Sequence, residues 1–200
     1  MQTATAAPAR LPRGARREQF LDVAATMITE LGLDAVTMER VAAQAGVSKG
    51  LGYAYFANRD ELLVALFDRE LGALDRRVAD AVEGAGSFED RLRVSLEVGF
   101  ETTATRSLLR AALLQAKLTD GPLEERRQTR QRQLVAFYAK LVIGEYGLDD
   151  KTALTAVAFL LGAYGGALEL WLHGRVARQE IIDNYVVLAR GALGALGGSS

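Results

Sequence analysis

The sequence predicts an all-α protein, and three observations support this fold class. Apolar residues recur at the i, i+3, i+4, i+7 spacing of amphipathic helices along most of the chain. Short turn signals such as Gly46-Val47 and Asp120-Gly121-Pro122 separate these periodic segments. The sequence contains no convincing run of alternating apolar and polar residues that would indicate a strand. We expect about nine helices: three short ones and a long connecting helix that leads into a larger bundle.

Composition excludes several function classes. The 200 residues are half apolar, and 24 Lys plus Arg face 25 Asp plus Glu, so the whole chain has no charge excess typical of nucleic-acid or membrane binders. Because there is no Cys and only one His, His173, disulfides, thiolate nucleophiles and nearly all zinc sites are excluded. We therefore expect no cofactor, no metal and no enzymatic activity, and a reducing cytoplasm as the location.

The N-terminal segment, residues 1–12, is small, polar and proline-containing, and we predict a disordered tail without a signal peptide. Up to residue 17 the chain has no acidic residue and four arginines, namely Arg10, Arg13, Arg16 and Arg17. Such a basic arm is suited to phosphate contact or to insertion into a minor groove. A solvated basic tail is the alternative interpretation.

The first helix is predicted over residues 20–31, because the apolar residues in this stretch follow helical spacing and Gly32 stands where a left-handed C-cap belongs. Thr37 precedes a second, short helix that ends near Gln44. Gly46-Val47 then forms a tight corner before the next helix.

Ser48 can cap the third helix, and Asn58 can cap a long fourth helix that ends near residue 83. Glu61 stands three residues after Asn58, which is the spacing of a capping box. Beyond a Gly-rich break, helical periodicity predicts five further helices over residues 88–103, 106–118, 122–146, 151–173 and 178–196.

Residues 153–168 are uncharged and apolar around the whole helix circumference. They fall short of the roughly 20 residues that a membrane span needs, and Glu169 follows at once. We therefore predict no membrane span but a helix buried on all sides by several neighbours.

Three short helices with a Gly-containing corner before the third are typical of a helix-turn-helix, whose third helix enters the major groove. A plain helical hairpin would show the same spacing. Lys49 in the first turn of the third helix and Arg59 at the start of the fourth stand where phosphates bind. Tyr53 and Tyr55 lie on different helix faces, so at least one hydroxyl should point outward toward a phosphate.

Residues 37–62, TMERVAAQAGVSKGLGYAYFANRDEL, resemble the signature of the TetR family of bacterial one-component repressors. The matching elements are Thr37, the Ala-Gly-Val-Ser corner, Gly50, Tyr53, Tyr55-Phe56 and Asn58-Arg59-Asp60. The resemblance implies a cytoplasmic, bacterial homodimer with a DNA-binding domain over residues 13–60 and a ligand-binding and dimerisation domain over 61–200. It further implies a repressor that binds a pseudo-palindromic double-stranded DNA operator and is released by a small effector. The apolar and aromatic residues of the C-terminal half indicate a lipophilic or aromatic effector.

By position, the resemblance assigns DNA contacts to Thr37, Ser48, Lys49, Gly50, Leu51, Tyr53, Tyr55 and Arg59. The basic arm adds Arg13 and Arg17 as candidate DNA contacts. Thr37, Tyr53 and Arg59 match phosphate contacts, and residues 49–51 face base edges, where Lys49 suits guanine and Leu51 a thymine methyl. Phe56 is expected in the core. Gly52 departs from the family, which has a sizeable apolar residue there. Either a bulkier neighbouring side chain fills the space that Gly52 leaves, or the third helix is loosely held until DNA binding orders it.

By position, the last two helices resemble those through which TetR-family proteins dimerise. Gly162 and Gly166 provide a flat surface for close helix approach, and the final helix has more apolar residues than one monomer face requires. We therefore predict a four-helix dimer interface, with an ordinary monomeric bundle as the alternative. Its expected residues are Gly162, Gly166, Ile181, Ile182, Tyr185, Val186, Ala189 and Leu193.

Candidate effector-binding residues are Phe100, Arg106, Arg110, Leu114, Phe137, Tyr138 and Tyr164, although each apolar one also suits plain core. Arg106 and Arg110, one helical turn apart, could hold an anionic head group, and a solvated helix face is the alternative that we favour. The charge-dense residues 124–132 are interpreted as a solvated helix face, with contact to a nucleotide-like or acyl-CoA ligand as the alternative, and His173 as a helix end. The alternative function is a small-molecule-binding helical protein that acts through a protein partner without binding DNA. Two features favour this alternative, namely Gly52 and the neutral net charge of the N-terminal region.

Overall fold

A computed structural model describes residues 12–115 and 121–198, apart from the side chains of residues 103–107 and 115. The predicted disordered arm, residues 1–12, lies outside the described residues except for Pro12. The described chain contains α-helices and one 3₁₀ turn, Leu33–Ala35, without a strand, so the all-α prediction is confirmed. The α-helices are α1 (Arg13–Leu31), α2 (Met38–Gln44), α3 (Lys49–Tyr53), α4 (Arg59–Val82), α5 (Phe88–Gln115), α6 (Pro122–Tyr146), α7 (Asp150–Leu172) and α8 (Arg178–Gly197).

The predicted caps form at the starts of α2 and α4. The Thr37 hydroxyl accepts a hydrogen bond from the Arg40 amide at 3.2 Å. The Asn58 side-chain oxygen accepts from the Glu61 amide at 2.8 Å, and the Glu61 carboxylate accepts from the Ala57 amide at 2.6 Å. These bonds satisfy helix N-terminal amides that have no partner within the helix.

The prediction of two helices between residues 88 and 118 is wrong, because α5 is a single continuous helix. Its threonine-rich middle lowers helix propensity, but the Thr102 hydroxyl donates to the Val98 carbonyl at 2.7 Å and stays satisfied inside the helix. Phe100 and Leu109, on either side of this stretch, are 0% and 4% exposed. Burial at both ends therefore outweighs the weak local propensity.

Two hydrophobic cores hold the helices together. The first joins α1, α2 and the first half of α4 with Phe56, which follows α3, and with Leu109 and Leu113 of α5 and Leu123 of α6. The second joins the first half of α5 to α6, α7 and α8. The first core continues as far as Leu71, so α4 extends without a break beyond the domain boundary proposed after residue 60. Helix α4 also packs against α5 and α6, which build the second core, so a displacement of α4 would reach helices of both cores.

The prediction that α7 is buried on all sides is wrong within the single chain. Ala153, Ala156 and Val157 pack into the second core, but Leu154 is 43% and Phe159 is 75% exposed. Among the described helices, α7 is long and apolar enough to cross a membrane by length and composition alone. One such helix does not by itself indicate a membrane protein, since core helices of other proteins share these properties.

Candidate nucleic-acid interface and effector cavity

The contact between α2 and α3 depends on Gly52, which is buried. A Cβ atom placed there would lie 3.4 Å from the Ala42 Cβ and 3.8 Å from the Met38 Cε, so the Met38 side chain occupies the adjoining space. Of the two expectations for this position, a neighbour that fills the gap is the one that the packing supports. Gly46, at a φ of +69°, makes the corner between the two helices.

Helix α3 and its capping residue expose five of the ten residues predicted to contact DNA. The Ser48 hydroxyl accepts from the Leu51 amide at 3.3 Å and caps the helix, while its own proton remains available for donation. The Lys49 side chain is 61% exposed, and Leu51 and Tyr53 are 37% and 41% exposed. Gly50 has open space around it and is also exposed, so DNA can approach its backbone closely.

Glu39 in the first turn of α2 orients two of these side chains. Its Oε1 lies 2.6 Å from the Lys49 Nζ and accepts a longer hydrogen bond, 3.4 Å, from the Tyr53 hydroxyl. The Lys49 hydrogen bond lowers the pKa of Glu39, and the same bond raises the pKa of Lys49. The sequence prediction missed Glu39, because no spacing pattern links a residue of α2 to one of α3.

Arg13 and Arg17 are exposed near the start of α1. Arg13 is the first residue of that helix, and the Arg17 guanidinium lies 5.1 Å from the centroid of the Phe56 ring. Phe56 itself is 1% exposed, so its prediction as a core residue is confirmed. Thr37, half-buried at the cap of α2, keeps a hydroxyl proton available for a phosphate.

Two of the predicted DNA contacts, Arg59 and Tyr55, are engaged within the chain. The Arg59 guanidinium donates to the carbonyls of Val36 at 2.8 Å and Leu33 at 3.0 Å, so it ties α4 to the segment of the 3₁₀ turn. The half-buried Tyr55 ring packs on Phe20 with 5.5 Å between centroids. The prediction that at least one of the two tyrosine hydroxyls points outward is met by Tyr53.

A cavity of about 650 Å³ lies among α4, α5, α6 and α7, a size typical of small-molecule sites. The candidate effector residues that line it are Arg110, Leu114, Phe137, Tyr138 and Tyr164. Phe100 does not line it, because its fully buried ring packs behind the wall against Tyr164 and Trp171, with centroids at 5.7 and 5.3 Å. The side chain of Arg106 lies outside the described residues.

Several polar groups of the cavity wall are paired with one another. The Tyr138 hydroxyl donates to the Ser95 hydroxyl at 3.0 Å, and the Tyr185 hydroxyl donates to the Leu160 carbonyl. Burial raises the pKa of both tyrosines, so both stay protonated donors at neutral pH.

Arg130 of α6 and Asp75 of α4 also line the cavity, and the sequence prediction missed both. The Arg130 guanidinium donates to the two Asp75 oxygens at 2.9 and 2.5 Å. The interpretation of residues 124–132 as a solvated face is wrong for Arg130, whose side chain is 15% exposed. The two residues are 55 positions apart, so only the packing of α6 on α4 brings them together.

Most of the predicted dimer residues are buried within their own chain, which corrects that assignment. In α8 the residues that are at most 9% exposed are Ile181, Ile182, Tyr185, Val186, Ala189 and Leu193. They form the stripe that packs into the second core. The outward apolar residues of α8 are Val187 and Leu188, at 55% and 71% exposed, while α7 exposes Phe159, Gly162 and Gly166.

In the part of the chain that the structure describes, no group of three or more His, Asp or Glu side chains is arranged to hold a metal ion.

Comparisons with known proteins agree with this architecture. Residues 20–66 match the family model "Bacterial regulatory proteins, tetR family". The chain is 30% identical over 159 residues to the HTH-type transcriptional regulator BetI of Rhizobium meliloti, covering 74% of this chain and 76% of BetI. It is 27% identical over 163 residues to the fatty acid metabolism regulator protein of Bacillus subtilis, covering 82% of this chain and 76% of that protein.

A solved structure, that of the transcriptional regulator FadR from Bacillus subtilis in complex with stearoyl-CoA, has the same fold. It superposes with a TM-score of 0.70 at 20% identity, covering 86% of this chain and 96% of that chain.

Proposed function

Because this chain belongs to the TetR family of bacterial regulatory proteins and is therefore a ligand-responsive transcriptional regulator, we propose that it is a repressor that binds DNA as a homodimer. Its operator is a pseudo-palindrome, since a two-fold dimer presents two recognition helices to half-sites about one DNA turn apart. The protein acts in the bacterial cytoplasm and has no catalytic role.

The observation that supports DNA binding most directly is a set of exposed residues on α3. Lys49, Gly50, Leu51 and Tyr53 are all exposed on a helix that Ser48 caps and Met38 supports from beneath. Lys49 suits guanine O6 and N7, Leu51 suits a thymine methyl, and Tyr53 suits a phosphate. Arg13, Arg17 and Thr37 add phosphate donors, whereas Tyr55 and Arg59 are left out of the proposed surface.

The effector is proposed to bind in the cavity among α4 to α7. Its wall is largely aliphatic and aromatic, which favours a lipophilic ligand. The name of the Bacillus subtilis relative, a fatty acid metabolism regulator, and the stearoyl-CoA bound by FadR support an effector with a long apolar chain. Because α4 forms one wall and also begins beside α3, an effector that prefers one α4 position changes the separation of the recognition helices.

The proposed dimer interface consists of the outward faces of α7 and α8. Phe159 and Leu188 are 75% and 71% exposed in the single chain, and Gly162 and Gly166 have open space above them. Large apolar side chains beside small residues favour close packing of a second copy. The alternative function, ligand binding with action through a protein partner and without DNA, has no support from the relatives described above.

DNA selection from a random pool tests this function. We expect enrichment of one pseudo-palindromic sequence and binding that weakens steeply with salt. Lys49→Ala and Tyr53→Ala should each weaken operator binding at least about tenfold, because each removes one base or phosphate contact. Lys140→Ala, which removes an exposed charge from α6, is the matched control and should leave affinity unchanged.

Two results would contradict the proposal. One is equal binding of the enriched sequence and competitor DNA at moderate salt. The other is loss of folding in Lys49→Ala or Tyr53→Ala, which circular dichroism would detect and which would mean that these side chains stabilise the fold.

A further inference from the structure

The ion pair between Arg130 and Asp75 stands out among the polar groups of the cavity. It is bidentate, because two guanidinium nitrogens of Arg130 donate to the two oxygens of the Asp75 carboxylate, at 2.9 and 2.5 Å. It also joins two walls of the cavity, since Arg130 belongs to α6 and Asp75 to α4. Any ligand group that competes for one of these partners therefore acts directly on α4.

We propose that the effector is an anionic amphiphile whose carboxylate takes the place of Asp75 on Arg130, and that this exchange releases the second half of α4. The proposal rests on the proposed function only in treating the cavity as the effector site. It adds the charge of the ligand, the residue that binds it and the contact that is broken.

Arg130 and Asp75 differ in exposure, and this difference indicates that the ligand carries a negative charge. The Arg130 side chain is 15% exposed, whereas the Asp75 side chain is 36% exposed. When an anion binds Arg130, the displaced Asp75 carboxylate can turn toward water and regain its hydration. A cationic ligand on Asp75 would instead leave the Arg130 guanidinium buried without a counter-charge, which is strongly unfavourable.

The chemistry of Arg130 fits a carboxylate in particular. A guanidinium presents two parallel N–H donors in a planar fork, and Asp75 already occupies that fork in the way a ligand carboxylate would. A second arginine, Arg110, lines the same cavity, while the acidic Glu169 on its wall belongs to an exposed position. The remaining lining is mostly apolar and suits the hydrocarbon body of the ligand.

Release of Asp75 affects α4 unevenly, because other ion pairs hold its first half. Asp68 is bound by Arg126 of α6 at 2.5 Å, outside the cavity lining. On the opposite side, Arg69 contacts Glu18 and Asp22 of α1 at 3.1 and 2.8 Å. Beyond Asp75, Arg77 of α4 pairs with Glu101 of α5 at 3.1 Å, but both side chains are exposed, 54% and 64%, so this pair holds α4 only weakly. The exchange at Arg130 therefore frees the part of α4 beyond Asp75 first, while the contacts of Arg69 transmit its displacement toward α1.

The test compares three probes with the same ten-carbon chain, namely decanoate, decan-1-ol and decylamine, by isothermal titration calorimetry at pH 8 without DNA. We expect wild-type protein to bind decanoate at least about tenfold more tightly than decanol. Asp75→Asn should tighten decanoate binding by about tenfold, because the competing carboxylate is gone, and should leave decanol binding unchanged. Arg130→Gln should remove the preference for decanoate.

Asp68→Asn is the matched control, since it breaks an ion pair between the same two helices outside the cavity and should not alter the preference. Hydrogen exchange supplies a second readout: decanoate should speed exchange in residues 76–82, and Asp75→Asn should do so without ligand. Thermal unfolding of each variant verifies that it is folded before titration.

Equal affinity for the three probes, a preference for decylamine or the absence of any binding overturns the inference, as does an unchanged preference in Asp75→Asn. The titration contains no DNA, so it tests this inference separately from DNA binding. If the protein selects an operator but does not discriminate between the head groups of the probes, only this inference is refuted. If it prefers decanoate but selects no DNA sequence, the regulatory function is refuted and the carboxylate site is retained.

Discussion

At the scale of single residues, Gly52 is the position where local propensity and packing disagree. Glycine in a helix is unfavourable by about 1 kcal/mol relative to alanine, so the residue alone suggests a weak recognition helix. The packing shows instead that α2 approaches closely, since a Cβ atom at residue 52 would meet Ala42 and Met38 at the distances of ordinary contact. Small size at residue 52 therefore permits the contact between α2 and α3.

Gly52→Ala and Gly52→Leu should have opposite effects on stability. A methyl group fits at 3.4 Å from the Ala42 Cβ, so Gly52→Ala should raise the free energy of unfolding by about 0.5–1 kcal/mol through helix propensity. Gly52→Leu must displace Met38 or separate the helices, and overpacking of this kind costs about 1–3 kcal/mol. Urea unfolding of both variants measures these differences. A Gly52→Leu protein more stable than wild type would mean that the interface between α2 and α3 contains unfilled space.

At the scale of elements, α4 depends on a well-formed start because it belongs to the first core and packs against α5 and α6 of the second. Its first amides are satisfied by the Asn58 side chain, and Glu61 reaches back to the Ala57 amide. Arg59 holds the same end against the 3₁₀ turn through two backbone carbonyls. These contacts fix the position of α4 relative to the short helices that precede it.

Asn58→Ala should lower the free energy of unfolding by about 1 kcal/mol, the usual effect of losing an N-cap side chain. Asn58→Ser should remain close to wild type, since serine caps helices about as well as asparagine. Chemical denaturation monitored by circular dichroism at 222 nm gives both values. If the two variants lost equal stability, Asn58 would act through some contact other than the cap.

At the scale of the whole molecule, the proposed dimer explains why α7 and α8 leave so much apolar surface uncovered. The inward stripe of α8 is complete within one chain, so the outward residues Val187 and Leu188 add nothing to that core. Phe159 on α7, at 75% exposed, is uncovered in the same way. A second copy that packs on these faces would remove them from water.

Phe159→Glu and Leu188→Glu should each convert the dimer into a monomer, because a buried interface does not tolerate an unpaired carboxylate. Light scattering should give about twice the 21.6 kDa chain mass for wild type and the single-chain mass for both variants. Leu31→Glu changes a comparably exposed residue, 57%, at the end of α1 and should keep the dimer mass. Dimers that persist in both α7 and α8 variants would place the interface elsewhere.

The sequence by itself determined the features that depend on neighbouring residues. Helix periodicity, the caps at Thr37, Ser48 and Asn58, and the Gly46 corner all arise from contacts within a few positions, so they were predicted correctly. The same locality explains why residues 37–62 sufficed to indicate the family. Residues such as Lys49 and Tyr53, exposed on a short helix between these signals, were placed correctly for the same reason.

Only the tertiary structure decided which surfaces face inward and which distant residues meet. Helix α8 is apolar on more than one face, so its periodicity could not tell the core stripe around Ile182 from the outward residues around Leu188. Likewise, the partners of Arg130 and Arg59 lie 55 and at least 23 positions away. Burial and long-range ion pairs depend on how helices pack against each other, and that packing is a property of the whole chain rather than of any local segment.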